Sequence, residues 1–167
     1  MKRTVLGALC AIAFAASASA AELRIAFVDV KAAIENTKEY QQGIAQLKAF
    51  QARQEKELEA LQKRIEQAER ELEKKRVVMS VEQVTAKEQE IASLRKQFDR
   101  KREDAQEELS RRKMQLDMRM MAKFRKVLER YAKQKRYDFV FGRPVLLYAA
   151  PQHEITAEIT KLMDAER

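Results

Sequence analysis

Between Gly43 and Gly142 the chain runs for 98 residues without a glycine or a proline. Those are the residues that most readily stop a helix, and 36% of the sequence is charged, so the stretch predicts long helix. Globular helices run roughly 8–20 residues, and a tract of this length therefore predicts rods that project from any compact body.

The first twenty residues have a different character. Lys2 and Arg3 precede an apolar run from Val5 to Ala16, and Ala18-Ser19-Ala20 is a small-x-small signal before Ala21. This is the pattern of a secretory signal peptide cleaved between Ala20 and Ala21. A membrane anchor is the alternative, but it needs roughly 20 apolar residues and this run is shorter. Cys10, the one cysteine, would leave with the signal, and loss of Lys2 and Arg3 lowers the net charge from +8 to +6. The product is then a cysteine-free chain of one domain in an exported compartment.

From Ile44, the positions Ile44, Leu47, Gln51, Gln54, Leu58, Leu61, Ile65, Ala68, Leu72 and Lys75 advance in steps of three and four, an incomplete coiled-coil seam. Lys74-Lys75-Arg76 then places positive charge at the negative end of a helix dipole, which reads as helix termination or, less simply, as a ligand contact. Ser80 and Gln83 form a capping box that opens a second helix, with Glu82 in its first turn. Val84, Ile91, Leu94, Phe98, Ala105, Leu109, Leu116, Met120, Phe124, Val127 and Tyr131 give that helix one apolar face to about Lys135. An antiparallel hairpin with its tip near 77–80 pairs residues whose numbers sum to about 157. It sets Gln51 and Gln54 beside Glu103 to Gln106, so both arms lose apolar seam residues at one height. A flexible knee is expected there, across Gln51–Gln54 and Asp99–Glu108.

The chain ends look different. Leu23–Asp29, Tyr137–Phe141 and Val145–Tyr148 are short β-branched and aromatic runs, with Gly142-Arg143-Pro144 as a turn between the last two. Val30–Thr37 and Thr156–Asp164 predict short helices. The expected fold is α+β and predominantly α: a long antiparallel helical hairpin, residues 40–135, on a small β-strand body from residues 21–39 and 136–167. So small a body has little apolar material, and its strands, with Ile25, Phe27, Phe139, Phe141, Leu146 and Tyr148, are expected to assemble between subunits.

The chemistry available is sparse. His153 is the one histidine, Ser80, Ser93 and Ser110 are the only serines after the signal, and no nucleophile-base pair stands out. There is no Cys/His ligand spacing, phosphate loop or H-E-x-x-H. No enzyme, cofactor or metal site is expected. Charge is more informative: residues 95–136 hold sixteen Lys and Arg against seven Asp and Glu. This suits an anionic partner, and acidic polypeptides or lipid phosphates fit an exported protein better than nucleic acid does. Met114, Met118 and Met121 share a helical face and read either as an adaptable binding surface or as filler where the arm enters the body.

The strand Leu23-Arg24-Ile25-Ala26-Phe27-Val28-Asp29-Val30, the charged hairpin, Tyr137-Asp138-Phe139-Val140-Phe141 and the ending Ile155-Thr156-x-x-Ile159 together resemble the Skp/OmpH family of periplasmic chaperones. The resemblance spans nearly the whole mature chain, through the order and spacing of short motifs. It implies a homotrimer whose strands join in a β-barrel body and whose arms enclose unfolded outer-membrane β-barrel proteins without ATP. It also implies lipopolysaccharide contacts at the basic segment holding Lys101, Arg111 and Arg112. A structural coiled-coil protein of the envelope is the competing reading.

Overall fold

The computed structural model describes residues 23–166, so the signal peptide and its Ala20/Ala21 junction lie outside the described residues. The elements in order are β1 (Ile25–Val28), α1 (Val30–Glu35), α2 (Lys38–Lys75), α3 (Val81–Lys135), β2 (Phe139–Gly142) and α4 (Thr156–Ala165), with 3-10 turns at Arg76–Val78, Arg143–Val145 and Pro151–His153. At ~1.5 Å per residue α3 is ~80 Å long, and α2 returns along it to form one hairpin.

Each boundary has a local cause. Asp29 caps α1 by accepting the Ala32 N–H at 2.9 Å. Thr37 caps α2, accepting the Tyr40 N–H at 3.2 Å while donating to the Ile34 carbonyl at 2.7 Å, which satisfies a fully buried hydroxyl. Lys74 and Lys75 stand in the last turn of α2, where they complement the dipole. The Ser80/Gln83 capping box is present in both directions, at 3.3 and 3.0 Å, and starts α3. At the other end α3 closes in a Schellman turn: the Tyr137 N–H reaches the Ala132 carbonyl at 3.0 Å, with Arg136 in the left-handed conformation at φ 55°.

The two strands, from opposite ends of the chain, pair in parallel with Ile25 opposite Phe139 and Phe27 opposite Phe141. A parallel pair needs a long crossover, and here the crossover is the hairpin itself. Register divides the sheet into two faces. Ala26, Val28 and Val140 look into the core, joined by Ala33, Ile34, Leu116, Met120, Phe124, Val127, Ile155, Ile159 and Met163. α4 is tied down by polar contacts as well: Thr156 Oγ1 accepts the Asp29 N–H at 2.9 Å, and the Thr160 hydroxyl donates to the Ala33 carbonyl at 3.1 Å.

A second, separate cluster of Ile65, Ala68, Ile91 and Leu94, flanked by Leu72 and Phe98, holds the outer part of the hairpin. The pairing follows the expected sum of about 157: Glu57 with Lys101 and Glu71 with Lys87 sum to 158, while the long side chains of Glu69 and Arg95 reach diagonally to a sum of 164. The tip falls near 77–80 as expected, with a 3-10 turn at Arg76–Val78 followed by Met79 and the cap Ser80.

Two expectations are corrected. Gln51 is exposed and Phe50 is buried, so the seam steps by three after Leu47, following the aromatic residue rather than a strict heptad. Val145–Tyr148 is not a strand: Pro144 opens a 3-10 turn, and residues 146–150 are irregular, so Leu146 and Tyr148 are not in the sheet. Proline fixes φ and lacks an N–H, which favours the turn, and among the described residues the sheet has two strands, with no third for the segment to pair with.

Candidate functional site: the arm root and the basic arm

The outer face of the sheet is apolar and uncovered. Ile25 is 42% exposed, Phe139 53% and Phe141 39%, while Phe27, on the same face by register, is buried. The Phe139 and Phe141 rings lie 6.1 Å apart in a stacked arrangement. Beyond them the segment Val145 to Tyr148 projects, with Leu147 and Tyr148 largely in solvent. Contiguous apolar surface of this kind marks an interaction site.

At the arm root, Gly43 allows α2 to approach α3 closely. A Cβ there would lie 2.7 Å from the Leu116 methyl carbons, so a side chain would push the arms apart or displace a core leucine. A groove of about 450 Å³ opens where α1 and the start of α2 meet α3, lined on its apolar side by Val30, Ile34, Tyr40, Met121 and Pro144. Of the three methionines singled out by spacing, Met114 and Met118 are exposed, whereas Met121 packs against the core beside buried Met120.

Glu39, in the first turn of α2, bridges to the basic arm. Lys123 Nζ approaches it at 2.7 Å and Arg119 Nε at 3.1 Å. The Lys123 hydrogen bond holds its carboxyl below the usual value, against a smaller opposing effect of partial burial, and Arg119 adds to the lowering. Glu166 plays the same role after α4, accepting from Lys126 at 2.7 Å and Arg130 at 2.6 Å, and both hold its carboxyl low.

The basic arm is thus largely answered from within the chain. Glu57 meets Lys101 at 2.5 Å, Glu69 meets Arg95, and Glu108 receives both Arg111 and Arg112, the latter at 2.6 Å. All three residues expected to contact an anion, Lys101, Arg111 and Arg112, are therefore paired with carboxylates. Arg112 also covers Phe50, its guanidinium carbon 4.4 Å from the ring centroid, with Arg53 at 5.6 Å on the same ring. Among the described residues of α3, Lys96, Arg100, Arg125 and Lys135 form no ion pair within 4 Å. The signals missed in the sequence were the acidic residues of α2 spaced to meet α3 across the hairpin, such as Glu57 and Glu69, and Glu108 one turn before Arg111 and Arg112 on α3 itself.

In the stretch separating the two apolar clusters, α3 has no buried residue after Leu94 and before Leu116, and α2 none after Phe50 and before Ile65. A groove of about 280 Å³ lies here, with Gln51, Gln54, Arg102 and Gln106 among its lining. Among the described residues there is no acidic, histidine or cysteine cluster that could hold a metal, and no helix long and apolar enough to cross a membrane.

A long hairpin arm standing on a small body made from both chain ends, with surfaces in place of a deep cleft, defines an arm-bearing interaction protein. A family model described as outer membrane protein (OmpH-like) matches residues 24–163, and the chain belongs to that family. It is 24% identical over 161 residues to the chaperone protein Skp of Yersinia enterocolitica, covering 96% of this chain and 98% of that one. Its fold is shared with the crystal structure of an OmpH-like outer membrane chaperone from Caulobacter crescentus CB15, with a TM-score of 0.81 at 14% identity over 99% of this chain and 90% of that one. Family and relatives together support a chaperone role.

Proposed function

We propose that this protein is a periplasmic, ATP-independent holdase that encloses unfolded outer-membrane β-barrel proteins and prevents their aggregation in transit. The observation that carries the reading is the uncovered apolar sheet face of Ile25, Phe139 and Phe141 at the root of a long charged arm. A body of residues 21–39 and 136–167 is too small to leave that face in water, and a second and third copy would cover it while setting three arms around a common space. Weak contacts to such arms retain an unfolded chain without fixing its shape. The net positive charge of residues 95–136 draws acidic clients toward them. No enzymatic step and no nucleic acid enters this scheme.

An anionic lipid or lipopolysaccharide headgroup at Lys101, Arg111 and Arg112 would have to displace the Glu57 and Glu108 carboxylates. We place that partner second for this reason.

The test is to dilute a urea-unfolded outer-membrane β-barrel protein into the mature protein and weigh the soluble complex by native mass spectrometry. Three subunits plus one client is the expected mass. A stable oligomer that leaves the client to aggregate would instead support a structural coiled-coil protein of the envelope.

A further inference from the structure

Sulfur is unevenly distributed in this protein. Cys10 is the one cysteine, and it lies in the leading apolar run, so from residue 11 onward every sulfur atom belongs to a methionine. Burial sorts those methionines into three groups. Met120 and Met163 are 0% and 1% exposed, Met79 and Met121 are half-buried, and Met114 and Met118 stand 57% and 65% exposed.

Met114 and Met118 are four residues apart on α3, so their thioethers lie one above the other on the same helical face. Met121 continues that face into the groove at the arm root. The charged neighbours Lys113 and Asp117 are closed on each other at 2.6 Å, leaving the two thioethers as the apolar, polarisable groups of this stretch. Oxidation of a thioether follows its exposure, and the product is polar and stiff where the parent was apolar and adaptable.

We propose that Met114 and Met118 form a reversible sulfoxidation site through which a hypohalous oxidant weakens the grip of the arm root on apolar client segments. This rests on the holdase reading above. With hypochlorous acid, the thioether sulfur attacks chlorine and releases hydroxide, and water then displaces chloride from the chlorosulfonium. The sulfur loses two electrons and gains one oxygen, chlorine is reduced to chloride, and one net proton is released. The core stays intact because Met120 and Met163 are covered. A methionine sulfoxide reductase reverses the change.

The experiment treats the mature protein with rising hypochlorous acid and maps each methionine by peptide mass spectrometry, alongside far-ultraviolet circular dichroism and capture of a urea-unfolded β-barrel protein. Oxygen is expected at Met114 and Met118 first, then at Met79 and Met121, and last at Met120 and Met163. Helix content should hold while capture falls several-fold, recovering after reductase treatment. In a Met114→Leu, Met118→Leu double variant, whatever its untreated capture, the same dose should leave that capture at the variant's own untreated level. Uniform oxidation of all six methionines, or equal loss of capture in the leucine variant, overturns the proposal. Selective oxidation with undiminished capture overturns it while leaving the holdase intact, whereas no capture before oxidation overturns the holdase reading and this consequence with it.

Discussion

The guanidinium carbon of Arg112 lies 4.4 Å from the centre of the Phe50 ring, while its Nε donates to Glu108 at 2.6 Å. One side chain thus covers the last buried aromatic of α2 and is itself held by a carboxylate on its own helix. Truncating Phe50→Ala should cost about 3 kcal/mol, and Arg112→Ala about 1 kcal/mol through the lost cation–π contact. Urea titration followed by helical circular dichroism reads both. If Arg112→Ala has no effect, helix packing alone holds the ring. Arm charge is therefore better tested for client retention at Arg100→Glu and Arg125→Glu, where no ion pair is disturbed. These should weaken capture of acidic clients, and a capture that is flat across a salt series would count against the electrostatic attraction.

The stretch between the two apolar clusters is expected to open before either cluster does, because local opening is easiest where buried apolar contacts are few. Hydrogen exchange at Gln51–Gln54 and Asp99–Glu108 should be faster than at Ile65 or Leu94. Even protection along both arms would dispose of the knee.

Glu39 makes the arm root sensitive to acid. Its carboxyl is held below the usual 4.5 by Lys123 first and Arg119 after, so its contribution to stability is complete above the unfolded value and is lost as pH falls through the lower folded one. The urea midpoint should decline below about pH 5, and Glu39→Gln should flatten part of that decline. An unchanged pH profile in the variant would show that the pair contributes nothing measurable.

Arg136 occupies, at φ 55°, the position where glycine most often ends a helix. Arg136→Gly should raise stability by up to about 1 kcal/mol, and Arg136→Val should lower it, since a β-branched residue tolerates the left-handed region poorly. Equal melting of the two variants would mean that the turn relaxes out of this conformation.

Phe139→Ser with Phe141→Ser should leave the arm helical yet dissociate any oligomer, because both rings lie on the uncovered sheet face and neither belongs to the core of the protomer. Light scattering during size-exclusion chromatography measures the mass. Retention of the parental mass would place the subunit contact elsewhere.

The long helices were legible because glycine and proline are absent from the arm and because Ser80 and Gln83 announce a start that the backbone obeys. The apolar face of α3 was legible for the same reason, since every residue named for it is buried or half-buried. What failed were the places where tertiary context decides. Phe50 displaced Gln51 from the seam because a large ring finds cover from an arginine on the other helix, which no heptad template contains. Val145–Tyr148 has strand composition, but a strand exists only with a partner, and among the described residues of the single chain there is none. The pairing of Lys101 was invisible for a related reason, because Glu57 lies on the facing helix, whereas Glu108 stands three and four residues before Arg111 and Arg112 on α3 itself and is legible from spacing alone.

The parallel pairing of Ile25–Val28 with Phe139–Gly142 also fixes an order of events. The first strand leaves the ribosome, or any narrow passage, before the whole hairpin, and its partner emerges only after the last turn of α3. Until then Ala26 and Val28 have no neighbouring strand, so the body cannot close, and the chain stays threadable for almost its entire length. The arm folds through local contacts and carries the two ends together, replacing a slow search across more than a hundred residues by the zipping of two helices.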